Sequence, residues 1–389
     1  MGAKAHGVCT MKVLYIGHYR EGTGWGVAAT NYILAMDSVG INVVPRAVKL
    51  NDIQVQLPPR LLELENEDST GCDVCIQHVL PHLMDFNPRF KKNIALYATE
   101  TSNFRSSTWP RRINTMDEAW VINNQMVTAS LNSGVTIPIK VIPHASNFEK
   151  FAQRHKKINL PIPDGNFIFY SICEFDKRKN LEAFITAFHL EFERNDSVSI
   201  LIKTNKHGLS PDQCAQEVQN LCNRIKTELK LYPSSNDYKE DFIITDYLSD
   251  IDLERIHQSC HCFVMPSYGE AWCIPAFDAM GFGKTPICTN VGGMTDFIDD
   301  GGVLVEGRLE PVKGALDTLS DLFTGKEEWI SINVQALRLE MRRMYESYKL
   351  GADDPQPDSY FHISSRGLNN AIKYSYENIG KRIEEALND

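Results

Sequence analysis

Along this chain, short apolar runs rich in valine and isoleucine alternate with longer stretches in which apolar residues recur at helical spacing. A parallel strand is buried on both faces, so it reads as a continuous apolar run rather than as a strict alternation. The pattern occurs twice. The first series is MKVLYIG (11–17), INVVPRAV (41–48), CDVCIQHV (72–79), NIALYAT (93–99), EAWVIN (118–123) and KVIPHA (140–145). The second is NFIFYSI (166–172), VSILIK (198–203), DFIITDYL (241–248), HCFVMPS (261–267), TPICTNV (285–291) and GVLVEG (302–307). Each series predicts a Rossmann-like, doubly wound α/β domain.

Between the two lies KKINLPIPDGN (156–166), where Pro161, Pro163 and Gly165 interrupt both strand and helix patterns. The division expected is a disordered leader at 1–10, an N-terminal acceptor-side domain at 11–155, a linker at 156–165 and a C-terminal domain at 166–365. A terminal helix over 366–389 is expected to pack back towards the N-terminal domain. Helical spacing also marks 180–194, opened by Asn180 as N-cap, then 211–229 and about 367–387.

At 389 residues, with 43% hydrophobic and 23% charged positions, the chain is long enough for two buried cores. The net charge of −10 argues against a nucleic-acid surface, which needs clustered lysine and arginine. No apolar run approaches the roughly 20 residues of a membrane span, so membrane association has no support, and a cytoplasmic location is expected. The ten cysteines are scattered through apolar runs, as reduced core thiols are. Cys72 and Cys75 have metal-like spacing, yet no second such pair follows, so no metal site is expected.

Open α/β sheets bind ligands beyond the carboxyl ends of their strands, and two such domains leave a cleft between those ends. Chemistry is therefore expected just after strands. After the first comes GHYREGTGWGVAATNYILAM, whose Gly22, Gly24 and Gly26 let the backbone approach a ligand before a helix N-terminus. After the fourth strand of the second series comes SYGEAWCIPAFDAMGFGKTP. Pro275 suits a first helical turn, and the amides of Ala271, Trp272, Cys273 and Ile274 are placed to face a diphosphate. Glu270 and Asp278 would accept hydrogen bonds from sugar hydroxyls; the plainer alternative is a helix cap and a dipole partner.

The stretch SYGEAWCIPAFDAMGFGKTPICTNVGG resembles the signature E-G-F-G-x-P-x-x-E-A-M-x-x-G-x-P-V-I of family 4 glycosyltransferases of the GT-B fold. The glycine loop, ATETS, EAWVINNQM, SGVTIPIKVIPHA and YSYENIGKRIEEAL have counterparts in the same order, so the resemblance spans most of the chain. It implies two Rossmann-like domains facing across a cleft. It also implies retaining transfer of a hexosyl group from a nucleotide-diphosphate sugar, such as a UDP- or GDP-hexose, to a glycan or other hydroxyl acceptor, with neither metal nor cofactor. Glu270 would hold the donor sugar, and Asp278 would replace the ribose-binding glutamate with an arm shorter by one methylene. In FDKRKNLEAF, Lys179 matches the phosphate-binding lysine, while Glu174 stands where relatives carry arginine; either Arg178 substitutes or that cation is lost. Glu100 takes the place of a histidine common in relatives, and His78 follows the third strand. Both are assigned to orienting acceptor or sugar, and His144 to structural support. Two other readings stay open: a sugar-nucleotide epimerase of the same fold, and a non-catalytic sugar-nucleotide-binding subunit in which Glu174, Ala271 and Asp278 mark lost function.

Overall fold

The computed structural model describes residues 11–50, 55–315 and 322–389; the leader expected at 1–10 lies outside the described residues. The chain divides into two compact units. One takes the residues up to Thr99, Asn103–Asn147 and Lys373–Asp389; the other takes Glu100–Ser102 and Phe148–Ile372.

In the first unit, strands β1 (Lys12–Gly17), β2 (Asn42–Ala47), β3 (Val74–His78), β4 (Lys92–Tyr97), β5 (Glu118–Val121) and β6 (Ile139–Val141) form one parallel sheet in the order β2-β1-β3-β4-β5-β6. Pro45 lies in β2, at the sheet edge, where its missing N–H is tolerated. The helix Tyr376–Asn388 lies against the helix Gly24–Ser38, and the Tyr376 hydroxyl donates to Asn31 Oδ1 at 2.7 Å.

In the second unit, β7 (Phe167–Glu174), β8 (Val198–Asn205), β9 (Asp241–Ile244), β10 (Cys262–Met265), β11 (Thr285–Thr289) and β12 (Val303–Val305) form a parallel sheet ordered β12-β11-β10-β7-β8-β9. Phe167, Phe169, Phe184, Phe188 and Phe192 fill its core beside Tyr345 and Tyr360. The helix Pro211–Leu229 starts with a reciprocal capping box between Ser210 and Gln213, so its first amides are satisfied locally.

Three features depart from the sequence expectation. Asn180 does precede the helix Leu181–Glu191, but in a left-handed conformation, and its amide donates to the Pro266 carbonyl at 3.0 Å instead of capping. The terminal helical pattern is broken: Tyr360–Ala371 ends in a short 3₁₀ turn, and Ser375 caps a new helix by accepting from the Asn378 N–H. A two-stranded antiparallel hairpin, β13 (Gly307–Pro311) with β14 (Glu328–Ile332), follows the second sheet, where no strand was expected beyond Gly307.

Candidate functional site

The strand order of the second unit reverses direction between β7 and β10: from β7 the chain winds out to β8 and β9, from β10 to β11 and β12. At such a switch point the loops leaving neighbouring strands diverge and open a crevice at their carboxyl ends. The loop after β7 carries Arg178 and Lys179; the loop after β10 carries Glu270.

The first loop is a 3₁₀ turn, Lys177–Lys179, capped by the Asp176 side chain on the Arg178 N–H at 2.5 Å. The Tyr268 N–H donates to the Arg178 carbonyl at 2.8 Å, tying the two loops together. Their side chains then meet. Lys179 Nζ donates to Glu270 Oε1 at 2.6 Å; Arg178 Nη1 donates to the Gly269 carbonyl at 2.7 Å and lies 3.3 Å from Glu270 Oε1. Arg178 Nη2 lies 3.7 Å from Glu100 Oε1. Gly269 has to be glycine here: a Cβ would sit 2.0 Å from the Glu100 carbonyl oxygen, closer than any non-bonded contact allows.

Glu270 is only 6% exposed. Burial opposes its ionisation, but Lys179 and Arg178 outweigh that and hold the carboxyl below the usual glutamate range. Burial likewise opposes the Arg178 charge, and Glu100, Glu270 and Asp176 outweigh it. The cluster is thus two cations and two carboxylates held at close quarters, with Glu174 outside it, accepting from the His207 N–H at 3.4 Å. Cations in this position can stabilise a departing diphosphate, and the carboxylates can take hydroxyl hydrogen bonds.

The helix Ile274–Gly281 begins after Cys273, which is left-handed at φ 71° and caps with no side-chain hydrogen bond. Pro275 lies in its first turn. Trp272 is buried against Phe277 and Phe297, so its side chain belongs to the core. The Gly293 N–H donates to the Glu270 carbonyl at 3.2 Å and fixes the loop from behind. Asp278 points to a partner that the sequence did not suggest: Lys150 Nζ lies 2.7 Å from its Oδ1. Burial raises the Asp278 pKa, with Lys150 opposing. The two residues are 128 positions apart, and nothing in the local pattern at Lys150 marks it.

The glycine loop and His78 belong to the first unit, at the switch between β1 and β3. Thr23 caps the helix Gly24–Ser38 by accepting from the Gly26 N–H, and Gly26 packs under the Glu21 carbonyl, where a Cβ would lie at 1.9 Å. Gly22 and Gly24 are exposed. Trp25, half-buried between Gly24 and Gly26, lies with its ring 5.1 Å from that of His78. His78 is 1% exposed and shares a 2.6 Å hydrogen bond with the Tyr15 hydroxyl. Burial, with His144 and His18 adding to it, pushes its pKa well down, so it is a neutral imidazole. His144, also buried, stands edge-on to Tyr32 with ring centroids 5.5 Å apart.

Residues 152–324 match the family model for glycosyl transferases group 1. The matched segment is less than half of the chain. It contains the Lys179, Glu270 and Asp278 positions. The serotype-specific mannosyltransferase WbdA of Escherichia coli is 26% identical to this chain over 172 residues, which are 43% of this chain and 18% of WbdA. The aligned part thus spans less than a fifth of that relative's length. Sucrose-phosphate synthase from Thermosynechococcus elongatus superposes with a TM-score of 0.65 at 14% identity, covering 97% of this chain and 98% of that one. Anabaena Alr3699/HepE, whose structure is a complex with UDP-glucose, superposes with a TM-score of 0.64 at 13% identity, covering 97% and 99%. At these identities the likeness is one of fold, and the fold is GT-B.

Proposed function

We propose that the chain is a retaining glycosyltransferase of family 4 type, moving a hexosyl group from a nucleotide-diphosphate sugar to the hydroxyl of a glycan or other acceptor. The observation that carries this reading is the Lys179–Glu270 pair, with Arg178 and Glu100 beside it, at the switch point within the segment that matches the group 1 glycosyl transferase model. A relative named as a mannosyltransferase and a structural neighbour holding UDP-glucose support a UDP- or GDP-hexose as donor.

In this reading the donor diphosphate lies against Lys179 and Arg178, with the amides of Ala271 to Ile274 behind it. Charge developing on the leaving group is met by two fixed cations, the part a metal plays in other enzymes; Arg178 takes the position left by Glu174. Glu270 holds the sugar hydroxyls, and Asp278 holds the ribose from beside Lys150. Glu100 and the neutral His78 orient acceptor and sugar, with Gly22, Gly24 and Gly26 allowing close approach. The acceptor oxygen attacks on the face the diphosphate leaves, and the diphosphate takes its proton. The protein contributes positioning and charge stabilisation. A cytoplasmic location fits a protein in which no described helix is long and apolar enough to cross a membrane.

The test is a screen of UDP-glucose, UDP-N-acetylglucosamine, GDP-mannose and ADP-glucose, read as nucleotide release with and without sugar acceptors. Transfer with retained anomeric configuration supports the reading. Interconversion of the sugar without an acceptor would make the chain an epimerase, and binding without any turnover would make it a binding subunit.

A further inference from the structure

The β13–β14 hairpin has two edges in use. One edge of β14 pairs with β13, with Trp329 opposite Glu310 and Ile330 opposite Leu309. On its other edge the Glu328 carbonyl accepts from the Ser102 N–H at 2.8 Å, the Glu328 N–H donates to the Ser102 hydroxyl at 3.1 Å, and the Ile330 N–H donates to the Tyr268 carbonyl at 2.9 Å. Ser102 is two residues after Glu100, and Tyr268 is two residues before Glu270. One strand edge therefore grips both loops that supply carboxylates to the Arg178 and Lys179 cluster. Glu328 and Ile330 stand two positions apart on an extended strand, a spacing of roughly 6–7 Å that the backbone fixes.

The side chains reinforce the grip. The Trp329 ring, 3% exposed, stacks on the Tyr268 ring with centroids 4.5 Å apart and planes at 17°, and Lys177 Nζ lies 5.6 Å from the Tyr268 ring centroid. Tyr268 is thereby held by its backbone from Ile330 and Arg178 and by its ring from Trp329. Gly269, the next residue, is the one in contact with the Glu100 carbonyl. An exposed strand edge is ordinarily a liability; here it is covered by the two loops that carry Glu100 and Glu270.

We propose that this hairpin is a clamp that sets the spacing between Glu100 and Glu270, with Trp329 and Ser102 as positioning residues. The catalytic consequence rests on the glycosyltransferase reading above; the mechanical one does not. Loss of the Trp329 ring frees Tyr268, lets Glu270 drift relative to Glu100, and leaves the Lys179 ammonium in place for a diphosphate.

The experiment has two arms on the full chain. In hydrogen exchange, Trp329→Ala should speed exchange of the Ser102 and Ile330 amides together, at least tenfold, while amides in β7 and β8 keep wild-type protection. Trp329→Phe should restore both. In turnover, using whichever sugar nucleotide of the donor screen the wild type accepts, Trp329→Ala should lower kcat tenfold or more, with Kd for the free nucleoside diphosphate within twofold. Ser102→Ala should fall between, and Trp329→Phe should return to within threefold of wild type. Unchanged exchange at Ser102 in Trp329→Ala, a loss spread over the whole second sheet, or wild-type kcat in a variant with altered exchange would each overturn the clamp. A wild type that turns over none of the four donors defeats the glycosyltransferase reading instead, and the exchange arm then decides the clamp alone.

Discussion

The Lys179 ammonium lies 2.6 Å from the Glu270 carboxylate across 91 positions of chain, and the carboxylate is nearly sealed from solvent. Removing one partner of a buried pair leaves an unmatched charge and typically costs about 3–5 kcal/mol. Arg178 remains beside Glu270, so Lys179→Met should lose stability at the low end of that range. Urea unfolding checks it. Turnover should fall about tenfold or more in Lys179→Ala and in Glu270→Ala, as for loss of one charged transition-state contact. Wild-type turnover in both purified variants would remove both assignments.

Lys150 and Asp278 make a pair of opposite sense. The Asp278 carboxyl has a raised pKa, so the folded chain holds its proton more tightly than the unfolded chain does. Its contribution to stability is greatest at acid pH and is lost as pH rises through the folded pKa. Lys150→Met removes the ammonium that opposes this shift. The destabilisation it causes should therefore be larger at pH 7 than at pH 4, measured by chemical denaturation at both.

Gly269→Ala should injure the site without breaking the signature. The new methyl would lie 2.0 Å from the Glu100 carbonyl oxygen, a backbone atom that cannot swing aside. Overpacking of this kind costs about 1–3 kcal/mol. Stability should fall by that amount in urea unfolding, and turnover should fall with it.

Acid should weaken the fold from pH 6.5 downward. Burial pushes the pKa of His144 and His257 down to about 3 and that of His261 to about 4. These rings are neutral in the folded chain, whereas the unfolded chain charges them below about pH 6.5. The unfolded state then binds more protons, so stability falls as pH falls, approaching about 1.4 kcal/mol per pH unit for each ring. Denaturation of wild type and His257→Gln at pH 7.5, 6.5 and 5.5 should show the destabilisation by the substitution shrinking as pH falls.

Chelation should leave the reaction intact. On the proposed reading, in which Lys179 and Arg178 face the diphosphate, turnover in excess EDTA should stay within twofold of the untreated rate, and added Mg²⁺ should not raise it. A rate abolished by EDTA and restored by Mg²⁺ would assign the charge neutralisation to a metal instead.

The sequence by itself determined the two series of parallel strands, because continuous valine and isoleucine runs are stable only where both faces of a strand are buried. Helical spacing marked Pro211–Leu229, the stretch after the fourth strand of the second series singled out Glu270 and Asp278, and the family resemblance added Lys179. The partners of those residues were not legible. Lys150 beside Asp278 and Glu100 beside Arg178 are contacts between remote segments, which no local period encodes. The hairpin escaped notice because GRLEP lacks an apolar alternation and its partner strand begins well downstream. The tertiary structure alone decided strand order, and with it the switch point between β7 and β10, since pairing between strands is set by global packing of the sheet and not by any one strand's residues.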